Sequence, residues 1–175
     1  MKTLAIDPST KSSGIAIFED DKLIEYKCLT ASSNNLFKRI HKICDELEKI
    51  LENNTDINVV YMEDVLPDDV KNNNKVYKAL MYLQGFICDI LNSFGLTPVF
   101  IFPNEWRAQC GIHTGRGVMR ESLKPKDMAF VKSQFGLDVN DDIADAICIG
   151  YVATGGKKLK EEDFCQVTSG GFEFR

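Results

Sequence analysis

The sequence predicts an α/β protein in which helices flank one mixed sheet of five strands. Three β-rich runs come first, at residues 2–6, 14–18 and 22–28, and short links join them. Two further β-rich runs, at 57–62 and 97–102, alternate with helical segments. Strands joined by tight links pair antiparallel, whereas strands separated by helices pair in parallel through right-handed crossovers. We therefore expect three antiparallel strands followed by two parallel ones.

The first half of the chain shows its elements through apolar patterns. An acidic three-residue link at 19–21 predicts a hairpin between the second and third strands. Apolar residues at helical spacing predict a helix over 34–51, with Ser32 or Ser33 as its cap. The β-branched run at 57–62 predicts a strand that is followed directly by an acid.

The second half of the chain alternates loops and helices. A polar loop at 67–74 precedes a helix over 76–91, which Gly95 ends. Pro103 begins a short helix around Trp106. The remaining segments are expected to be a mobile loop at 111–123, helices at 126–134 and 142–152, and a loosely held tail at 157–175. The folded domain is therefore expected to span residues 1–156.

The composition is that of one globular domain. A chain of 175 residues can bury about two-thirds of its unfolded surface. No apolar run approaches the roughly 20 residues that a bilayer span requires, and the N-terminus lacks the pattern of a signal peptide. The six cysteines are spread singly, which favours reduced thiols over disulfides or a zinc site. We expect a cytoplasmic protein without membrane contact.

The charge is unevenly distributed along the chain. A net charge of −5 argues against indiscriminate coating of nucleic acid. Between residues 103 and 132, however, six Lys or Arg residues stand against three acids, so this stretch is positive and the remainder strongly negative. Such a stretch can be an ordinary solvated surface or a local phosphate-binding face. Its basic residues are Arg107, Arg116, Arg120, Lys124, Lys126 and Lys132.

Four acids stand where apolar elements begin or end. Asp7 and Glu63 each follow an apolar strand, and neighbouring strands would bring both carboxylates to one sheet edge. Asp142 and Asp145 lie three residues apart at the head of an apolar helix, so they share a face. A buried acid costs several kcal/mol unless a cation compensates it. Carboxylate oxygens are the ligands that Mg²⁺ and Mn²⁺ prefer, so the pattern indicates a cation site.

Each acid also has a simpler interpretation on its own. Asp7 precedes Pro8 and can be a turn residue, and Glu63 can be the polar end of a strand. Asp142 can be an N-cap, with Asp145 complementing the helix dipole. A shared site is favoured because three separate elements carry acids at their ends within one sheet topology.

Three motifs connect these acids to a known family. They are LAIDPSTKSSG at 4–14, VVYME at 59–63 and DDIADAI at 141–147. Together they resemble the RuvC-like Holliday junction resolvases of the ribonuclease H-like superfamily over about residues 1–155, with spacing closest to phage and low-GC bacterial forms. The resemblance implies a ribonuclease H-like fold and two Mg²⁺ ions per active site, with Mn²⁺ as a substitute. It implies a catalytic and metal-binding set of Asp7, Glu63, Asp142 and Asp145, and leaves Asp141 unassigned.

The resemblance also implies contacts with DNA and with a second subunit. Basic side chains would neutralise phosphates at or beside the scissile bond. The candidates are Lys71, Arg107, Arg116, Arg120, Lys124 and Lys126. Symmetric cutting of a four-way junction needs two active sites, which implies a homodimer. The helix at 74–92 is the candidate interface, through Tyr77, Met81 and Gln84.

Two positions depart from the family pattern. Ser9 stands where the family often has glycine after the first acid, and its hydroxyl is not expected to impair activity. Leu66 stands near the place of an aromatic wedge that bacterial relatives use at the junction crossover. A weaker wedge would relax both sequence preference and strict junction specificity.

The expected function is therefore a structure-selective endonuclease that resolves four-way DNA junctions by paired metal-dependent nicks. The ends would carry a 5′ phosphate and a 3′ hydroxyl. Three alternatives stay open: a broader branched-DNA nuclease, a nuclease for RNA–DNA hybrids, and a catalytically silent nucleic-acid-binding domain of the same fold. An actin-like kinase or ATPase is disfavoured because the chain is short for that fold and lacks a second phosphate loop. No nucleotide cofactor is expected.

Overall fold

One mixed sheet of five strands forms the centre of the computed structural model, which describes residues 1–65, 74–115, 118 and 120–155. The strands are β1 Lys2–Asp7, β2 Ser12–Glu19, β3 Lys22–Thr30, β4 Ile57–Glu63 and β5 Pro98–Ile101. Their spatial order is β3-β2-β1-β4-β5. Strand β1 pairs antiparallel with β2 and parallel with β4, and β4 pairs parallel with β5. The predicted sheet is therefore confirmed, including the antiparallel pairing of β2 with β3.

Helices cover both faces of this sheet. Helices α1 Leu36–Asn53 and α2 Asn74–Ser93 pack on one face, where the inward side chains include Leu4, Ile6 and Ile15. The other face carries α3 Pro103–Gln109, α4 Arg120–Phe135 and α5 Asp141–Thr154. Each face has its own apolar cluster, as expected for a sheet buried on both sides.

The alternation of side chains along β1 and β4 decides which face the acids occupy. Successive side chains in a strand point to opposite faces. Leu4 and Ile6 pack towards α1 and α2, so Ala5 and Asp7 belong to the face of α5. In β4, Met62 lies in the first cluster, and Glu63 therefore shares the α5 face.

Two helix starts differ from the expectation. Helix α4 begins at Arg120, inside the segment predicted to be a loop, and carries Pro125 in its first half. Proline lacks an N–H and disfavours the helix interior, so the local pattern does not predict a helix that runs through Pro125. Helix α1 is capped by Asn35, whose side chain accepts a hydrogen bond from the backbone N–H of Lys38, and not by Ser32 or Ser33.

Several predictions fall outside the described residues. These are the loop contact of Lys71, the wedge position Leu66, the basic residue Arg116 and the tail at 157–175. The domain limit at residue 156 lies there as well. The described cysteines are free thiols: Cys28, Cys44, Cys88, Cys110 and Cys148. Among the described helices, none combines the length and apolarity of a membrane span.

Candidate active site

Two of the predicted acids lie side by side at the carboxyl ends of β1 and β4. Asp7 and Glu63 are the last residues of these parallel neighbours and occupy the same face of the sheet. Both are buried, with 8% of their surface exposed. The backbone of Glu63 is held from the opposite face, where the Gln84 amide of α2 donates to its carbonyl oxygen at 2.9 Å.

Asp145 joins these two acids from α5. Its residue is 7% exposed, and burial raises the pKa of its carboxyl well above the ordinary value. The negative charges of Asp7 and Glu63 raise this pKa further, whereas Arg107 lowers it. Since such effects require proximity, the three acids form one buried group, which is named here the acidic cluster: Asp7, Glu63 and Asp145.

A glycine brings α5 close enough to complete the acidic cluster. Gly14 lies opposite Asp7 in the β1–β2 pair. A Cβ at this position would lie 1.8 Å from the backbone carbonyl oxygen of Asp142 and 3.2 Å from the Cβ of Ala146. Only the absence of a side chain allows the first turn of α5 to lie directly on β2.

Asp142 lies at the rim of the cluster rather than inside it. It is half-buried, and its carboxylate accepts a hydrogen bond from the Ser12 hydroxyl. Burial raises its pKa, and the Ser12 hydrogen bond opposes this effect. The N-cap of α5 is Asn140, whose side chain accepts from the backbone N–H of Ile143, so the interpretation of Asp142 as the cap is wrong.

Asp141 has a basic partner at the same rim. Its carboxylate pairs with the ammonium group of Lys124, and that hydrogen bond lowers the pKa of Asp141. The Lys124 side chain is 43% exposed, so it remains accessible to solvent. Asp142 and Asp145 also raise the pKa of Lys124, after the effect of Asp141. Lys124 therefore lies between the acidic cluster and solvent.

Helix α3 contributes two neighbouring residues to the cluster. The Trp106 indole N–H donates to Glu63 Oε2 at 2.9 Å, and the indole is fully buried. The Arg107 guanidinium contacts Asp127 Oδ2 and Asp145 Oδ2 at 2.9 and 3.1 Å. Sequence reasoning missed the roles of Trp106 and Asp127. Trp106 resembled an ordinary apolar position, and Asp127 was counted only as a charge in the basic stretch.

The predicted phosphate-binding residues occupy different environments. Arg107 is only 6% exposed, and carboxylates surround its guanidinium, so it serves as an internal counter-ion in this structure. Burial lowers its pKa, but Asp145 and Asp127 outweigh this and keep it raised. Lys126 is exposed on α4. Arg120 begins α4, and its side chain lies outside the description.

The turn after Asp7 is closed by a buried serine. The Ser13 hydroxyl accepts from the Ser9 backbone N–H at 2.9 Å and donates to the Ser9 carbonyl oxygen at 2.7 Å. Asp20 is the one non-glycine residue with positive φ in the described part of the chain, so Ser9 adopts a conformation open to any side chain. The backbone therefore does not require a glycine at this position.

The acidic cluster fits a divalent cation by donor type and burial. Asp145 Oδ1 is buried and has no hydrogen-bond partner in the described structure, which is costly for a carboxylate oxygen. Hard cations prefer such oxygen donors. Within residues 1–65, 74–115 and 120–155, however, no three His, Cys, Asp or Glu side chains already converge as a metal-binding group. The donors are present, but a complete coordination shell is not preformed.

Comparison with solved structures identifies the fold. Neither a protein-family model nor a curated protein matches the chain. RuvC of T. thermophilus, in complex with a Holliday junction substrate, is similar at a TM-score of 0.68 and 15% identity, over 86% of this chain and 90% of that one. The fowlpox virus Holliday junction resolvase is similar at 0.57 and 15%, over 86% and 94%. The yeast mitochondrial resolvase Ydc2 is similar at 0.53 and 14%, over 85% and 75%. The chain therefore has the ribonuclease H-like α/β fold of these resolvases.

Proposed function

We propose that this protein is a metal-dependent endonuclease that resolves four-way DNA junctions by paired nicks. The observation that carries the proposal is the acidic cluster, in which β1, β4 and α5 bring three buried carboxylates together on one sheet face. The similar structures support a junction substrate, since one of them is a complex with a Holliday junction. The finer likeness to phage or low-GC forms and the cytoplasmic location stay predictions.

The acids of this chain would hold the metal ions. Asp7, Glu63 and Asp145 would supply the inner oxygens, and Asp142 would supply one from the rim. Bound Mg²⁺ or Mn²⁺ supplies Lewis acidity for in-line hydrolysis of a phosphodiester, which leaves a 5′ phosphate and a 3′ hydroxyl. Asp7, Glu63 and Asp145 are largely buried, and electrostatic interactions in such surroundings are stronger than in bulk water.

Basic side chains at the rim would contact DNA. Lys124 is partly exposed beside Asp141, and Lys126 is exposed on the same helix. Both can approach a phosphate without breaking the buried core. Arg107 would act on the carboxylates instead, because its guanidinium is already enclosed by Asp127 and Asp145.

A homodimer would provide the two active sites that paired nicks require. Within the predicted interface helix, Met81 is exposed and Tyr77 is half-buried. Gln84 is buried and binds Glu63, so its assignment to the interface is wrong. Exposed aromatic side chains at the seam between α1 and α2 extend the candidate surface. This α1–α2 aromatic strip comprises Phe37, His41, Tyr82 and Phe86.

A nicking assay on a synthetic four-way junction tests the function. We expect wild-type protein with Mg²⁺ to make paired, symmetric nicks, and Asp7→Asn and Asp145→Asn to lose at least about 100-fold in rate. Asp138→Asn, on an exposed side chain, is the matched control and should cut normally. Undiminished cutting by Asp7→Asn would reject the proposed site.

The same assay separates the alternative functions. Linear duplex and an RNA–DNA hybrid of equal length serve as competing substrates. Equal cutting of linear duplex would reject junction selectivity but keep a nuclease, and preference for the hybrid would indicate a ribonuclease H activity. Junction binding without cutting in Mg²⁺ or Mn²⁺ would indicate a catalytically silent binding domain.

A further inference from the structure

Two consecutive residues of α3 each bind a different member of the acidic cluster. Trp106 is fully buried, and its indole N–H donates to Glu63 Oε2 at 2.9 Å. Arg107 places Nη2 3.1 Å from Asp145 Oδ2. The Arg107 guanidinium also stacks on the Trp106 ring, with its central carbon 4.0 Å from the ring centroid. A single turn of helix thus connects the end of β4 to the start of α5.

Asp127 of α4 fixes the direction of the Arg107 guanidinium. Arg107 Nε lies 3.2 and 3.0 Å from the two carboxylate oxygens of Asp127, and Nη2 lies 2.9 Å from Oδ2. Asp127 is completely buried. A planar guanidinium held along one edge by a buried carboxylate and along its face by an indole has little rotational freedom. The Arg107 guanidinium therefore binds Asp145 in a fixed orientation and also supplies a positive charge to it.

The arrangement occupies one oxygen of Asp145 and leaves the other without a partner. Arg107 binds Oδ2, whereas Oδ1 is buried and has no hydrogen-bond partner in the described structure. A carboxylate that is held by one oxygen keeps its second oxygen in a fixed position. This is the way in which outer hydrogen-bond partners orient metal-binding carboxylates.

We propose that α3 is the positioning element of this metal site, with Trp106 orienting Glu63 and Arg107, braced by Asp127, orienting Asp145. The inference rests on the proposed metal-dependent function and deepens it. Neither residue touches the substrate in this proposal. Both act through the carboxylates that they hold, and Arg107 also supplies one compensating positive charge among four buried acids.

The chain's single tryptophan makes the proposal directly measurable. Trp106 donates to a candidate ligand, so a cation bound by Glu63 changes the electrostatic environment of the indole. We expect a saturable change in tryptophan emission when full-length wild-type protein is titrated with MgCl₂. The change should disappear in Glu63→Gln, and calorimetry should give the same Mg²⁺ dissociation constant as the emission.

Two variants test the orienting role by calorimetry. Trp106→Phe keeps the ring but removes the N–H, and Arg107→Lys keeps the charge but removes the fork that binds Asp127 and Asp145. Each is expected to weaken Mg²⁺ binding about 10- to 100-fold, the usual effect of losing an outer partner of a metal ligand. Phe135→Leu, which removes a ring that packs on Phe18 and Tyr151, is the control and should bind Mg²⁺ normally.

The outcomes distinguish this inference from the proposed function. Mg²⁺ binding to wild-type protein without a change in its emission would overturn the positioning role and leave the metal-dependent function intact, and normal Mg²⁺ affinity in both Trp106→Phe and Arg107→Lys would do the same. Absence of any Mg²⁺ binding to the wild-type protein would overturn both. The emission titration uses the unaltered chain, so it decides the question even where a variant fails to fold.

Discussion

At the scale of single residues, the site is governed by the cost of burying carboxylates. Asp145 shows this through the pKa of its carboxyl, which burial raises and which Asp7 and Glu63 raise further. Arg107 opposes these effects but does not cancel them. A cation bound at the acidic cluster would offset the remaining repulsion.

The raised pKa of Asp145 predicts how stability depends on pH without metal. The folded state binds the Asp145 proton more tightly than the unfolded state, whose pKa lies near about 4. The proton on Asp145 therefore stabilises the fold fully below the unfolded-state pKa, and this stabilisation is lost as pH rises through the folded-state pKa. We expect the free energy of unfolding in EDTA to fall as pH rises from the unfolded-state pKa to the folded-state pKa of Asp145. The fall should be about 1.4 kcal/mol for each pH unit between these two pKa values.

Urea unfolding at a series of pH values, in EDTA, measures this effect. Asp145→Asn should flatten the decline, because an amide does not titrate in this range. Asp138→Asn is the control, since the Asp138 side chain is 80% exposed and pairs only with Lys132 among the described residues. Identical pH profiles for wild type and Asp145→Asn would contradict the prediction.

At the scale of elements, the site depends on how closely α5 approaches the sheet. Gly14 allows the contact at the first turn, and Gly150 allows a second one further along, where an added Cβ would lie 2.3 Å from the Phe18 ring. Ala5 and Ala16 supply small side chains on the sheet beneath. The helix therefore crosses β1 and β2 at short distance and carries Asp145 to Asp7.

Gly14→Ala is predicted to damage both stability and the site. Its Cβ would meet a backbone carbonyl, which a rotamer change cannot move, so α5 must shift away from β2. We expect a loss of about 1–3 kcal/mol in the free energy of unfolding, together with reduced junction cutting. Chemical denaturation and the nicking assay measure the two effects.

Gly85→Ala provides the matched control for that substitution. Gly85 lies in the interior of α2, and an added Cβ would meet nothing within 4 Å. Alanine favours a helix more than glycine does, so we expect a gain of about 0.5–1 kcal/mol. Equal effects at the two glycines would show that the close approach at Gly14 does not matter.

At the scale of the whole molecule, one surface combines exposed aromatic side chains from two helices. Phe37 and Tyr82 are each 48% exposed, and their ring centroids lie 5.8 Å apart. His41 and Phe86 form a second ring pair at 5.4 Å. Contiguous exposed apolar surface of this kind is typical of association sites. We therefore propose the α1–α2 aromatic strip as the interface of the proposed homodimer.

A charge placed on this strip is predicted to separate the subunits. Tyr82→Glu would bury an unpaired carboxylate in the interface, and we expect the dimer to weaken at least about tenfold, which corresponds to about 1.4 kcal/mol. Light scattering coupled to size-exclusion chromatography measures the mass. Ile24→Glu, at a 47% exposed residue on β3, is the control and should leave the dimer intact. A monomeric wild-type protein would contradict the homodimer.

The local pattern of the chain was sufficient for most of the fold and part of the site. Strand and helix periods, together with the rule for crossovers, predict three antiparallel strands followed by two parallel ones, and they predict that Asp7 and Glu63 meet at one sheet edge. The spatial order of the strands is known only from the structure. The loop prediction for 111–123 is wrong at its end, because α4 begins at Arg120 and runs through Pro125, which the local pattern does not predict. The simpler interpretation of Asp142 as the N-cap of α5 is wrong, because Asn140 occupies that position; three consecutive residues at 140–142 can each cap a helix, so local sequence does not distinguish them.

By itself, the sequence determined the element order, the sheet and the acids at the ends of its elements, because these follow from periodicity along neighbouring residues. Tertiary structure alone decided how those acids are held. It placed Asp145 in the cluster and Asp142 at its rim, and it turned Arg107 inward towards Asp127 and Asp145. These contacts join residues 20 to 130 positions apart. Burial and charge compensation between such distant residues depend on how the helices pack on the sheet. The spacing of residues along the sequence does not contain this information.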